Sequence, residues 1–262
     1  MNKTISLFLL DIDGVILRGK SIITGSSEAI KDLKNKGAKI VFVTNNSTKS
    51  RIEHAENLSK HGISVIADDI LSTSYCAAKY AKENELKSVY IVGEEGLKEE
   101  LESANIQVLS QNAKNVDAVI VGMDRTLTYT KLATAHRLIT NGAKFIATNT
   151  DATYPIENGE APGAGAMIAA IHITVGKPPI ILGKPNPFML NLALKETNIS
   201  VDKCAVVGDR PETDIAMANR VGCISVLVLT GVSTSSNPLD YLVDNRPTLI
   251  YESLADLARR YH

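Results

Sequence analysis

The 262-residue chain has few cysteines. Cys76, Cys204 and Cys223 are odd in number, far apart, and form no Cys-x-x-Cys pair. That excludes a disulfide framework and leads us to expect reduced, mostly buried thiols in a cytoplasmic protein. The chain also lacks a charge excess: 28 Lys and Arg against 29 Asp and Glu leave a net charge of −1. No basic field therefore calls for nucleic acid or an anionic membrane. No apolar run approaches the ~20 residues of a membrane span. The first apolar stretch, Ile5 to Leu10, is too short for a signal-peptide core and runs straight into Asp11. Low-complexity tracts and internal repeats are absent. A soluble globular protein is expected, long enough for one large α/β domain or two smaller ones.

What the chain does have is alternation. Ile5 to Leu10 reads as a buried parallel strand, followed by a helix over Glu28–Lys36 with Gly37 as its stop. A second strand, Lys39–Val43, leads to a helix carrying Ile52, Ala55 and Leu58, with Ser47 as its expected N-cap. Ile70–Thr73 reads as a third strand. The middle repeats this grammar: strands at Ser88–Val92, Ala118–Val121 and Lys144–Ala147, helices at Glu94–Glu102, from Thr128 through Ile139, and at Gly165–Ile173. The last third adds strands at Pro179–Leu182, Cys204–Val207 and Ile224–Leu229, with helices after Pro187 and Thr213 and an edge strand and closing helix within Thr248–Arg260. The pattern predicts a doubly wound, Rossmann-like α/β core of residues 1–75 and 180–262. Residues 76–179 form an inserted smaller α/β domain.

The chemistry gathers where the core strands end. The first strand ends in Asp11 and Asp13 before Gly14, the second in Thr44 and Asn45. Lys184 follows a strand in the last third, and Asp209 ends the next one, with Asp214 about a helical turn further on. Each alone has a plain structural reading as a turn, a surface lysine or a loop cap. Together, at one edge of a sheet, they offer several carboxylates, a hydroxyl and an ammonium. Hard oxygen ligands of this kind suit Mg²⁺, and a lysine and a threonine beside the ion suit the remaining oxygens of a phosphate. Other motifs lead nowhere. Gly163-Ala164-Gly165 lacks the spacing of a dinucleotide loop, the histidines show no ligand spacing, and Glu94-Glu95 with Glu99-Glu100 read as a solvated helix face.

In order along the chain, Asp11-Ile12-Asp13-Gly14-Val15, Thr44-Asn45, Lys184, and Gly208-Asp209-Arg210 with Thr213-Asp214 resemble the four motifs of haloacid-dehalogenase-like phosphohydrolases. Phe42 to Ser47, Thr148-Asn149-Thr150-Asp151, Leu182-Gly183-Lys184-Pro185 and Leu229-Thr230-Gly231-Val232 are similar to the NagD-type, or nitrophenylphosphatase, branch. Val15 stands where many superfamily members have threonine, a change this branch tolerates.

The resemblance implies a phosphatase acting on a small phosphorylated metabolite, with the inserted block as a cap over the leaving group. It implies Asp11 as nucleophile and Asp13 as general acid and base. Mg²⁺ would be held by Asp11, the Asp13 carbonyl and Asp209, with Asp214 orienting a metal-bound water or Lys184. Thr44, the Asn45 amide and Lys184 would hold the phosphate. A homodimer through the cap fits the branch. A phosphotransferase or mutase would share every motif; a receiver-like phosphoacceptor would leave the insertion unexplained. Asn149 and Asp151 at the end of a cap strand are read either as a turn or as specificity residues.

Overall fold

The computed structural model describes residues 5–156 and 159–261; the ends of the expected core, residues 1–4 and His262, lie outside them. The chain divides into two compact units. One comprises residues 5–44, 55–71 and 184–261, the other residues 45–54 and 72–183. The sequence pattern places residues 45–54 in the core; in the structure they group with the insertion, and the division falls inside the helix Arg51–Ser59.

The first unit is built on a six-stranded sheet. Its middle strand is Leu7–Asp11, which pairs in parallel with Lys39–Thr44 on one side and Cys204–Gly208 on the other. Ile70–Ser72 lies beyond the former, Ile224–Val228 and Leu249–Tyr251 beyond the latter. The chain thus starts at the centre, winds outward to one side, and after the insertion winds outward to the other. The strand order reverses at Leu7–Asp11, and such switch points open a crevice at the carboxyl ends of the strands.

All five residues of Leu7–Asp11 are buried, as expected of a strand covered on both faces. Phe8, Leu10, Ile40, Phe42, Ala205 and Val207 form one face and pack with Ala29, Ile30 and Leu33 of the helix Ser26–Asn35. Leu254, Leu257 and Ala258 of the closing helix Leu254–Arg260 join them. Tyr261 seals that layer: its ring meets Phe8 edge-on at 5.2 Å, and its hydroxyl donates to the Ile5 carbonyl at 2.7 Å.

The second unit has its own parallel five-stranded sheet: Ile180–Ile181, Lys144–Ala147, Ala118–Val121, Ser88–Val92 and Gln107–Val108 in spatial order. The helices Tyr129–Thr140 and Ala164–Val175 bury Ala135, Leu138, Ile139, Met167, Ile168 and Ile171 against it. Thr128 caps the first of them, its hydroxyl accepting from the Lys131 amide at 3.2 Å. Ile180–Ile181 is a correction to the sequence reading. It precedes Lys184 but pairs with Lys144–Ala147 rather than extending the core sheet.

The N-cap of Arg51–Ser59 is corrected as well. Ser50 and Glu53 form a reciprocal capping box, the Ser50 amide donating to Glu53 at 2.8 Å, so Ser47 lies too early. Nor is the acidic helix Glu95–Ser103 a freely solvated face. Glu100 is buried, accepting from the Arg51 amide at 2.7 Å and from its guanidinium at 3.2 Å. Glu94 pairs with Arg125. Two hairpins, Leu17–Arg18 with Ser21–Ile22 and Thr153–Ile156 with Gly159–Pro162, were not expected. Among the described residues no helix is long and apolar enough to cross a membrane.

A candidate metal and phosphate centre

Asp11 is the last residue of the central strand, and Asp209 directly follows Gly208, the last residue of the neighbouring one. Parallel pairing of these strands brings both carboxylates to the same edge. Asp214 arrives from a short π-helical turn, Pro211–Ile215, in which the Asp214 amide donates to the Arg210 carbonyl at 3.0 Å. One oxygen from each of Asp11, Asp209 and Asp214 lies within 4.8 Å of the others. All three residues are buried, at 6, 2 and 0 % exposure.

Lys184 reaches into this cluster. Its ammonium, also buried, sits 2.7 Å from Asp11 Oδ1 and 2.7 Å from Asp214 Oδ1. Burial works against that ammonium, but the two carboxylates overcome it and hold its pKa above the ordinary lysine value. Burial pushes Asp11 well above the usual carboxylate range. Lys184 opposes the shift, and the negative charges of Asp214 and Asp209 add to it. Asp209 is pushed up to about 6, first by burial and then by Asp214, against the pull of the Val232 amide, Lys184 and Arg210.

Three buried carboxylates face one buried ammonium, and Arg210 adds only the weakest pull on Asp209, so full ionisation leaves a negative excess in the site. Such an excess is tolerated only when protons or a cation relieve it. Asp209 Oδ2 accepts from the Val232 amide at 2.8 Å, but Asp209 Oδ1 is buried without a hydrogen-bond partner among the described residues. Carboxylate oxygens alone, with one of them orphaned, fit a hard divalent cation.

Two glycines make room for Asp209. A Cβ on Gly14 would lie 2.4 Å from its carboxyl carbon, and one on Gly231 would lie 1.9 Å from its Oδ2. Gly14 also holds a φ of +88°, open to glycine at little cost. The Thr230 hydroxyl donates to the Gly14 carbonyl at 2.6 Å, and the Arg18 guanidinium donates to the Thr230 carbonyl. The segment Thr230-Gly231-Val232 therefore grips the site, yet the sequence reading gave it no role. Its position just after the strand Ile224–Val228, at the same sheet edge, was the available signal.

The other expected site residues divide. Thr44 ends the strand Lys39–Thr44 and is buried, one residue beyond Val43, the register partner of Asp11. Asp13 is exposed and does not join the carboxylate cluster. Asn45, Asn149 and Asp151 meet one another within the second unit. The Asn45 side-chain amide donates to both Asp151 carboxylate oxygens at 3.1 Å, and the Asn149 amide donates to the Asn45 carbonyl at 2.7 Å. Asn149 Oδ1 accepts from the Asp151 amide at 3.1 Å, the geometry of an Asx turn. A cavity of about 430 Å³ in the same unit is lined by Glu94, Lys98, Arg125 and Thr126, among others. Its charged groups are paired, Glu94 with Arg125 and Lys98 with Glu95.

Residues 8–107 match a family described as haloacid dehalogenase-like hydrolase, and residues 181–257 match a HAD-hydrolase-like family. Phosphoglycolate phosphatase 2 of Arabidopsis thaliana is 36% identical, over 98% of this chain and 93% of that protein. A p-nitrophenyl phosphatase from Archaeoglobus fulgidus superposes with a TM-score of 0.91 at 35% identity, covering 98% of this chain and 99% of the other. The glycerol phosphate phosphatase Rv1692 from Mycobacterium tuberculosis, solved in complex with magnesium, gives 0.89 at 32% identity over 97% and 76% of the two chains.

Proposed function

Since the chain belongs to the haloacid dehalogenase-like hydrolases, we propose that it is a phosphatase hydrolysing small phosphomonoesters through a phosphorylated Asp11. The observation that carries this reading is the Asp11 carboxylate itself. It is buried at the switch point of the sheet, 2.7 Å from Lys184 and grouped with Asp209 and Asp214. The relatives named for phosphoglycolate, p-nitrophenyl phosphate and glycerol phosphate all point to small monoesters.

In the first step an Asp11 oxygen attacks phosphorus in line and the ester P–O bond breaks. Asp13, exposed and two residues away, gives its proton to the departing oxygen. In the second step Asp13 takes a proton from the water that attacks the aspartyl-phosphate. Inorganic phosphate leaves and the Asp11 carboxylate is restored. Lys184 offsets the charge of Asp11 and of the phosphate, and Thr44 and the Asn45 amide hold phosphate oxygens. Asp11 and Asp209, with the Asp13 carbonyl, would hold Mg²⁺. When bound, the ion supplies the positive charge without which a carboxylate and a phosphate dianion repel each other. Asp214 serves by fixing Lys184, to which it is bonded at 2.7 Å. Residues 45–54 and 72–183 act as the cap that discriminates among leaving groups.

The test is a phosphate-release screen over many phosphomonoesters, with Mg²⁺ and with EDTA, beside an Asp11→Asn variant. Metal-dependent release that disappears in the variant is expected. Full activity in metal-free buffer, or in Asp11→Asn, would refute the reading.

A further inference from the structure

We propose that Thr230-Gly231-Val232 is a positioning strap that sets the Asp209 carboxylate for a divalent cation, with Thr230 as its anchor. The inference rests on the cation reading of the centre given above and adds residues that touch no ion themselves.

A carboxylate at the end of a strand turns readily about its last bond, because that torsion is broad and roughly two-fold. Either oxygen could then face the cluster. Here the Val232 amide takes Oδ2 at 2.8 Å, so Oδ1, buried and without a partner among the described residues, remains for the space shared with Asp11 and Asp214. The plane of the group is fixed too. Gly231 and Gly14 press on it from their Cα atoms, and a methyl group at either position would overlap the carboxylate.

The strap is held in turn by Thr230. Its hydroxyl donates to the Gly14 carbonyl at 2.6 Å, in the loop that follows Asp11 and Asp13. Its carbonyl accepts from Arg18, on the hairpin that leaves that loop. Thr230 thus joins the loop of the proposed nucleophile to the loop that aims Asp209. Partners outside the ligand shell that orient a ligand in this way usually affect metal affinity as well as geometry.

The experiment is isothermal titration of EDTA-stripped protein with Mg²⁺, for wild type and for Thr230→Val, Thr230→Ser, Arg18→Ala and Asp209→Asn. Circular dichroism confirms that each variant is folded. Thr230→Val should weaken Mg²⁺ binding roughly 10- to 100-fold, Thr230→Ser should stay near wild type, and Asp209→Asn should bind no Mg²⁺. A purely structural threonine would lower the melting temperature and leave the Mg²⁺ affinity alone. Wild-type affinity in folded Thr230→Val, with binding lost in Asp209→Asn, would overturn the strap while leaving the cation site standing. Wild-type affinity in Asp209→Asn would instead overturn the cation reading. Should Thr230→Val not fold, Arg18→Ala decides, since its side chain is exposed. Weakened binding there supports the strap, and unchanged binding overturns it.

Discussion

At the scale of single residues, the raised pKa of Asp209 has a consequence for stability. Its folded value of about 6 lies above the ordinary 3.8. Its contribution is therefore fully present below about pH 4 and is lost as the pH rises through 6, because the unfolded chain then releases a proton that the folded state holds. Asp11 is shifted in the same direction. In metal-free protein, Asp209→Asn should gain on wild type by about 2–3 kcal/mol between pH 4 and pH 8. Urea denaturation of both proteins in EDTA at the two pH values measures this; a difference that stays constant with pH would show that Asp209 ionises freely. The two acids of the first motif should also fail differently. Asp11→Asn should fold and lose nearly all turnover, and activity within about tenfold of wild type, a barrier change near 1.4 kcal/mol, would argue against a covalent step. In a single-turnover assay Asp13→Asn should slow alkyl phosphates more than aryl phosphates, whose leaving groups need little protonation. Equal losses would remove Asp13 as the acid.

At the scale of elements, the acidic helix Glu95–Ser103 separates residues that composition makes look alike. Glu100 is buried against Arg51, whereas Glu99, one position earlier, is exposed. Glu100→Ala should cost about 2 kcal/mol, the usual loss for a buried hydrogen bond to a charged group. Glu99→Ala should stay within about 0.5 kcal/mol of wild type. Thermal or urea melts of the two variants decide between this picture and an evenly solvated face. The pair also shows where reading the sequence stops. Strand ends are legible because an apolar run that stops at a polar group is a local pattern: Asp11 ends one such run, Lys184 and Asp209 each follow one across a glycine, and Asp214 lies five residues beyond Asp209. The partner of Glu100 lies 49 positions away, and nothing local marks it. Ile180–Ile181 was legible as a strand but not as belonging to the second sheet, since two isoleucines carry no record of their neighbour. The hold of Val232 on Asp209 uses a backbone N–H that almost every residue possesses, so no side chain announces it.

At the scale of the whole molecule, the segment 45–54 belongs with the insertion although residues 55–71 of the first unit separate it from residue 72. It supplies Asn45 to Asp151 and Arg51 to Glu100. A fragment spanning residues 45–183 should therefore melt cooperatively, and one spanning 72–183 should melt at a lower temperature, as followed by circular dichroism. Equal melting temperatures would mean that the segment adds no stability. A fragment ending at residue 183 but beginning at the N-terminus should aggregate, because Leu7–Asp11 would present its apolar edge without Cys204–Gly208. The same split strand order governs when the protein acquires its chemistry during synthesis. The nascent chain carries Asp11 out of the ribosome early, but Asp214 follows 203 positions later (214 − 11). At about 5–20 residues per second, that is roughly 10–40 s of translation. For the first 173 of those positions (184 − 11) Asp11 has neither Lys184 nor Asp209 beside it, so the unfinished polypeptide has no assembled centre with which to capture a phosphate.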